Sequence, residues 1–377
     1  YRPVKFKRGD EMDKLLEYLR KFINIIIGSA EKKIALYLVT GGVSVIVASL
    51  NTDWLQILLM LVVKGLNKEA TVTEGESSIV GCFFGLVLVI LGVWFYFKTN
   101  TQKKKKIVAR IQHSSIEVVD FSNIKEESDT EVKRYIINQL EEMTYLSEIG
   151  LMRSIAIQNR NVNRLLDSFH QLDSCPSRID YYGLAHIPFT ILLGYQIADK
   201  VNVKFHEWDQ NKSKWLAIWD NPTSYPKLIL DINKVQKPRE VEEVIIKVGM
   251  TYPIEDNHLD GLGLRDCDTY YLHLENPRRN HIVSLKQLQD YKKEFRDLLD
   301  RINQTYPNLK KIHLFYSGQM SFAYCIGSAF SSRMDYQVLS YNFVGRGYPK
   351  YNWVLPLKKA HENIEPKVTG EVVRKDV

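Results

Sequence analysis

Cysteine is scarce and poorly placed for covalent or metal cross-links. Cys82, Cys175, Cys267 and Cys325 include no CxxC spacing, and Cys82 lies inside an apolar run, so neither a disulfide framework nor a zinc site is indicated. Catalytic signatures are also missing. There is no HExxH, no GxSxG and no Walker loop, and Gly261-Leu262-Gly263 lacks the third glycine of a dinucleotide fingerprint. Asp266 and Asp268 form no recognisable constellation with a histidine. No cleavable signal peptide is visible, because the first apolar run follows a charged, amphipathic stretch. The most informative absence is of charge. Residues 78–97 run for twenty positions without a charged side chain. As a helix rising about 1.5 Å per residue they cover roughly 30 Å, the hydrocarbon thickness of a bilayer.

The charge that is present is unevenly distributed. Residues 1–33 carry nine Lys/Arg against five Asp/Glu, residues 34–77 two against four, and residues 78–106 five against none. Residues 107–377 carry thirty-five of each sign and net zero. The basic excess therefore follows the apolar runs and calls for no DNA or RNA polymer as partner. Trp94, Phe95, Tyr96 and Phe97 close the main run, where aromatic rings suit the headgroup level, and Lys98 and Lys103–Lys106 follow. Residues 34–50 form a second uncharged run of seventeen, with Gly41, Gly42 and Ser44 as small positions. Residues 51–54 interrupt it, and 54–66 read as an interfacial or re-entrant segment on the outer side. Residues 11–27 place Leu15, Leu16, Leu19, Phe22, Ile23 and Ile26 on one face of an amphipathic helix. Cations flank the two runs on one side only, so both termini are expected in the cytoplasm of a multi-pass membrane protein. Gly81 and Gly85, four apart, are expected to form a face on which hairpins cluster. The expected organisation is a cytoplasmic segment 1–33, a transmembrane module 34–97 with spans at 34–50 and 78–97, a basic linker 98–106 and a soluble domain 107–377.

Beyond residue 106 the pattern alternates between strand and helix. Strands are expected at 107–111, 181–187 and 201–205, with helices at 132–149, 162–172 and 189–198. A second series follows: strand 244–248, helix 285–305, strand 312–316, helix 322–331 and strand 336–340. Such alternation argues an α/β domain with a largely parallel sheet. The two series repeat. An offset of 133 sets 188–194 on 321–327 and 203–209 on 336–342, and an offset of 137 sets 111–115 on 248–252, which argues a duplicated unit about a pseudo-twofold axis.

Two stretches carry a family resemblance. Ala185-His186-Ile187-Pro188-Phe189, leading through Gly194 to a strand and Trp208, resembles the first half of a SAVED domain. Lys311-Ile312-His313-Leu314-Phe315 with Ser317-Gly318-Gln319-Met320-Ser321, leading to Gly327, is similar to its second half. Gln319 stands where many relatives place proline. The resemblance covers about 107–360. With the two spans, the chain resembles a two-transmembrane SAVED effector of CBASS, cyclic-oligonucleotide-based anti-phage signalling. That resemblance implies two Rossmann-like (CARF-like) repeats and a cyclic di- or trinucleotide bound across their junction, with no cofactor and no catalysis. It further implies self-association on ligand binding and disruption of the bacterial inner membrane, killing the infected cell. The alternatives are a membrane-anchored enzyme that degrades the cyclic nucleotide, and a plain membrane tether for a partner protein.

In open α/β sheets ligands lie beyond the carboxyl ends of the strands. There the sequence offers Ser114, Ser115, His186, Thr251, Tyr252, Ser317, Gly318, Gln319 and Ser321. Small hydroxyls and backbone N–H groups at helix starts suit phosphate oxygens. Trp208, Tyr341 and Phe343 end the following strands, where a ring could stack on a base. Arg346, with Lys212, Lys214 and Lys350, offers charge for phosphates. A serine after a strand also serves as a helix cap, His313 reads as a core histidine, and Trp215 and Trp219 read as packing residues.

Overall fold

The computed structural model describes residues 30–50, 79–101, 106–121, 124, 127–171, 175–198, 201–220 and 224–369. The amphipathic stretch 11–27 and the interfacial segment 54–66 lie outside the described residues. The chain divides into two compact units, Tyr1–Lys104 and Lys105–Val377.

In the first unit, α1 (Ala30–Leu50) packs against α2 (Ile79–Thr101). Their backbones touch through glycine. A Cβ added to Gly42 would lie 2.6 Å from the Gly85 carbonyl oxygen, and one on Gly85 would lie 2.6 Å from that of Gly42. Gly92 meets Val39 and Ala35 in the same way, whereas Gly41 faces open space. This corrects the expectation that Gly85 serves clustering between copies, because α1 of the same chain already occupies that face. The hydroxyls of Thr40, Ser44 and Ser49 each donate to the carbonyl four residues earlier, in their own helix. Phe83, Phe84, Leu86, Ile90, Trp94 and Phe97 point outward and are exposed. Among the described residues one helix, through Gly81–Lys98, is long and apolar enough to cross a bilayer, and Lys33–Ser49 is a shorter apolar stretch.

The second unit holds two sheets. The first runs β2 (Thr130–Asn138), β1 (Lys106–Ser114), β3 (Arg178–Leu184), β4 (Val203–Asp209) and β5 (Lys214–Ala217), with α3 (Glu148–Ser168) and α4 (Ile187–Ile197) in the connections. Its strands are parallel except for β5. The second takes the same path. Strands β8 (Asp268–His273), β7 (Glu243–Gly249), β9 (Lys311–Ser317), β10 (Gln337–Phe343) and β11 (Tyr351–Pro356) repeat that order, with α5 (Leu285–Thr305) and α6 (Met320–Ala329) between them. Two further antiparallel strands extend it at its edges, β6 (Ile229–Asn233) beside β8 and β12 (Lys367–Val368) beside β11. The duplication read from sequence is thus present in the strand order itself.

Its register differs from the expected one. The loop-to-helix segments match at 133, since His186 and Gln319 are the N-caps of α4 and α6. The strand pairs Tyr181–Phe205 and Leu314–Ser340 put β4 on β10 at 135, and Ser114–Leu184 with Gly249–Ser317 put β1 on β7 at 135. Both strand alignments were off by two. A two-residue slip leaves every side chain on its own face, so alternation could not expose it. The helix expected at 132–149 is also corrected: Thr130–Asn138 is strand, paired parallel along β1, and α3 begins only at Glu148, where the Ser147 hydroxyl accepts the Gly150 N–H. Pairing with β1 overrides the helical spacing of Val132, Tyr135 and Ile136.

Helices α4 and α6 join the repeats. Each packs against the other and on the opposite repeat's sheet, α4 on β10 and α6 on β3 and β4. A Cβ on Gly194 would lie 2.0 Å from the Tyr324 carbonyl oxygen, and one on Gly327 would lie 1.9 Å from that of Ile191. Each glycine therefore meets the other helix three residues before the other glycine, as a twofold crossing requires. The hydrophobic core is continuous through this crossing, from Ile111 and Tyr181 through Leu192 and Ile326 to Leu314 and Trp353.

Two substitutions test these contacts. Gly194→Ala places a methyl group against a backbone carbonyl oxygen and should destabilise the second unit by about 3 kcal/mol or more in urea unfolding, and Gly327→Ala likewise. Wild-type stability in both would contradict the crossing. Gly85→Leu should separate α1 from α2. Spin labels at exposed Tyr37 and Ile90 should then report a longer, broader distance distribution, and an unchanged one would contradict the packing.

Candidate functional site

The carboxyl ends of β7 and β9 are clamped together. The Ser317 carbonyl accepts the Met250 and Thr251 N–H groups at 2.7 and 2.9 Å, and the Ser317 hydroxyl accepts the Tyr252 N–H at 3.1 Å. The turn that follows leaves no room for a side chain: a Cβ on Gly318 would lie 2.3 Å from the Tyr316 hydroxyl, which itself donates to the Gln319 carbonyl at 2.7 Å. Gln319 opens α6 without capping it by its side chain. Its amide instead turns to the loop after β8, accepting the Ile282 N–H at 2.6 Å. That loop also carries Arg279, whose guanidinium donates to the Tyr252 hydroxyl at 2.9 Å and to Gln210 of the first repeat at 3.3 Å.

Between these elements lies a cavity of about 270 Å³, lined from both repeats. The first contributes Gly183, Leu184 and the run Glu207–Asn211, the second Thr251, Arg279, Asn280, Gly318, Gln319 and Met320. Trp208 in this wall is held by Trp215, ring centroids 5.2 Å apart. Glu207 reaches across the repeat boundary, accepting the Ser321 N–H at 2.8 Å. Burial pushes its carboxyl above the usual range, against the pull of the Ser321 and Met320 N–H groups. Asp209 is satisfied locally by the Asn211 and Lys212 N–H groups. The cavity thus offers one guanidinium, two carboxylates, a tryptophan edge and backbone at a helix start. Among the described residues no group of three His, Cys, Asp or Glu is placed to hold a metal ion.

Of the residues singled out in the sequence, Trp208, Thr251, Gly318 and Gln319 line the cavity. Ser317, Tyr252 and Ser321 build its walls through the hydrogen bonds above. Ser115 and His186 meet at the equivalent place in the first repeat. There the Ser115 hydroxyl accepts the His186 N–H at 2.7 Å and lies 2.8 Å from Nδ1, holding the N-cap residue of α4. The His186 ring packs edge-on to Phe189 and Trp353. Ser114 is buried beside Asn138.

Tyr341 requires correction. It is buried in a separate cluster, stacked on Phe315 at 4.5 Å with its hydroxyl 2.9 Å from His313, so its face is not free for a base. At the true offset its counterpart is His206, and that of Trp208 is Phe343. Phe343 is half exposed at the rim of that cluster, beside Tyr351 and His258, and Arg346 is in an exposed loop; neither lines the cavity. Lys212 is exposed beside Asp209, and Lys350 donates to the Gly345 carbonyl. His313 is a satisfied core residue between Tyr341 and Glu243.

Glu207, Gln210, Arg279 and Asn280 were missed. Glu207 and Asp209 flank Trp208 at a strand end, a charged pair beside an aromatic that was available as a signal. Arg279 follows β8, a strand the sequence pattern did not disclose, so its loop had no assigned place.

A sequence profile of the SAVED family, described as the "SMODS-associated and fused to various effectors sensor domain", matches residues 159–357. No curated protein matches the chain. Among solved structures, the chain is similar to the Acinetobacter baumannii Cap4 SAVED/CARF-domain receptor with the cyclic trinucleotide 2'3'3'-cAAA. The TM-score is 0.44 at 12% identity over 82% of this chain, and the match spans 66% of that chain, just short of two thirds of its length. It is also similar to the Moraxella osloensis Cap4 SAVED/CARF-domain receptor, with a TM-score of 0.39 at 11% identity, covering 92% of this chain and 85% of that one. With the profile covering more than half of its residues, the chain belongs to the SAVED family of sensor domains.

Proposed function

We propose that this protein is a membrane-anchored receptor for a cyclic di- or trinucleotide, acting in anti-phage signalling of the CBASS type. The observation that carries the reading is the cavity where the strand ends of both repeats meet, lined by Thr251, Gly318 and Gln319 with Trp208 and Arg279. Exposed backbone at a helix start and a guanidinium suit phosphodiester oxygens, and the tryptophan edge suits a base. Membership of a sensor-domain family supports a binding role over a catalytic one.

The helical pair is the proposed output. The outward apolar side chains of α2 would form an exposed patch in water that lipid relieves. Glycine packing inside the pair suits helices associating where lipid is as apolar as they are. In this reading both helices span the inner membrane with the termini in the cytoplasm. Ligand binding favours an assembled state of the receptor, and assembly gathers the hairpins until the membrane leaks.

The test uses the full chain in nanodiscs and liposomes with a panel of cyclic di- and trinucleotides. One or more should bind, and Thr251→Trp, which fills the cavity, should abolish that binding without lowering the melting temperature. Arg279→Ala should weaken binding by about tenfold and flatten its salt dependence. The bound nucleotide should be recovered intact, and it should trigger dye release from loaded liposomes. Unchanged affinity in Thr251→Trp would place the site elsewhere, consumption of the nucleotide would make the protein an enzyme, and tight liposomes would refute membrane disruption.

A further inference from the structure

We infer that Glu207 is an internal anion holding the place of a ligand phosphate: its carboxylate occupies the start of α6, and an anionic ligand must displace it. The inference rests on the reading of the cavity as a cyclic-nucleotide site, and it makes Glu207 the residue that sets the affinity threshold.

The geometry is specific to this place. Glu207 belongs to β4 of the first repeat and Ser321 to α6 of the second, so their 2.8 Å hydrogen bond crosses between repeats. The N-cap of α6, Gln319, gives its side chain to Ile282, leaving the first N–H groups of the helix to another acceptor. Across the pseudo-twofold axis no acid does this. The counterpart of Glu207 is Asn342, whose amide donates to Asn352 and to the Phe343 carbonyl, and the counterpart of Ser321 is Pro188, which has no N–H to offer an acceptor. The fold therefore works without a carboxylate at this position, and one is present where the cavity opens. A carboxylate oxygen and a phosphate oxygen compete for the same N–H groups, and two anions held together away from bulk water repel strongly.

A consequence is pH dependence. The groups around Glu207 do not titrate near neutrality. Burial pushes the phenols of Tyr181 on β3 and Tyr316 on β9 upward, and the Glu207 charge adds to this. His206, next on β4, is stacked on Tyr182 and held at about 3 by burial. Arg279 and Asp209 are the other charged side chains of the cavity, and phosphodiesters stay ionised. Burial shifts the Glu207 carboxyl upward, which favours its protonation as pH falls. Protonation removes the competing charge, so affinity for an anionic ligand should rise as pH falls.

The experiment titrates the full chain in nanodiscs, parent and Glu207→Gln, at pH 5.5 and 8. The probes are 2'3'3'-cAAA, 3'3'3'-cAAA and a cyclic dinucleotide of each purine. For whichever probe binds, the parent should bind more weakly at pH 8 than at pH 5.5. Glu207→Gln, which keeps an oxygen for the Ser321 N–H, should bind about tenfold tighter than the parent at pH 8, with a flat pH profile. Equal or weaker binding by the variant overturns the inference and leaves the receptor reading standing. Absence of binding by both proteins overturns both readings. Should that variant fail to fold, Glu207→Ala decides by the same comparison at pH 8: binding no tighter than the parent's refutes the displaced anion.

Discussion

The second unit depends on one close contact, the crossing of α4 and α6 at Gly194 and Gly327. Neither position has room for a methyl group, because the carbonyl oxygen of the opposite helix fills it. That closeness brings each helix onto the other repeat's sheet and lets Tyr324 reach Tyr181 and Phe205, while Phe189 reaches Trp353. Two units that would each leave an apolar face open thus share a continuous core.

The same two helices point their N-termini toward the strand ends, and there the symmetry breaks. The start of α4 is closed by Ser115, His186 and the Trp353 ring. The start of α6 borders the cavity and receives a carboxylate from the other repeat. The duplicated scaffold thus has two unlike helix starts, and of the two that of α6 borders a cavity lined from both repeats. Arg279, tied to Tyr252 on one side and Gln210 on the other, joins the two walls of that site.

Much of this was legible in the sequence, and the misses have physical causes. Helix α5 was read to the residue because Leu288, Tyr291, Phe295, Leu298 and Ile302 keep a single buried face over about four turns, after an N-cap at Ser284. The central strands were found because buried strands read as short apolar runs. The edge strand β2 was not, since its exposure alternates only in part and its identity comes from pairing with β1. Strands β5, β6, β8, β11 and β12 were missed as well, and with β8 went the Arg279 loop. The Ser317–Ser321 turn was found from its small residues, whereas Tyr341 was misplaced by a two-residue register slip that alternation cannot reveal. In the first unit the glycines were noticed as packing positions, but sequence spacing does not say which helix packs against them. Gly42 and Gly85 answer to each other within the chain.

The central claim is that one ligand engages both repeats at the strand ends around α6. Hydrogen–deuterium exchange of the full chain, with and without a binding cyclic nucleotide, tests it directly. The account predicts protection in four separated segments at once: 207–211 of the first repeat, and 250–252, 279–282 and 318–322 of the second. Protection confined to one repeat, or centred on the 341–346 strand end, would contradict it.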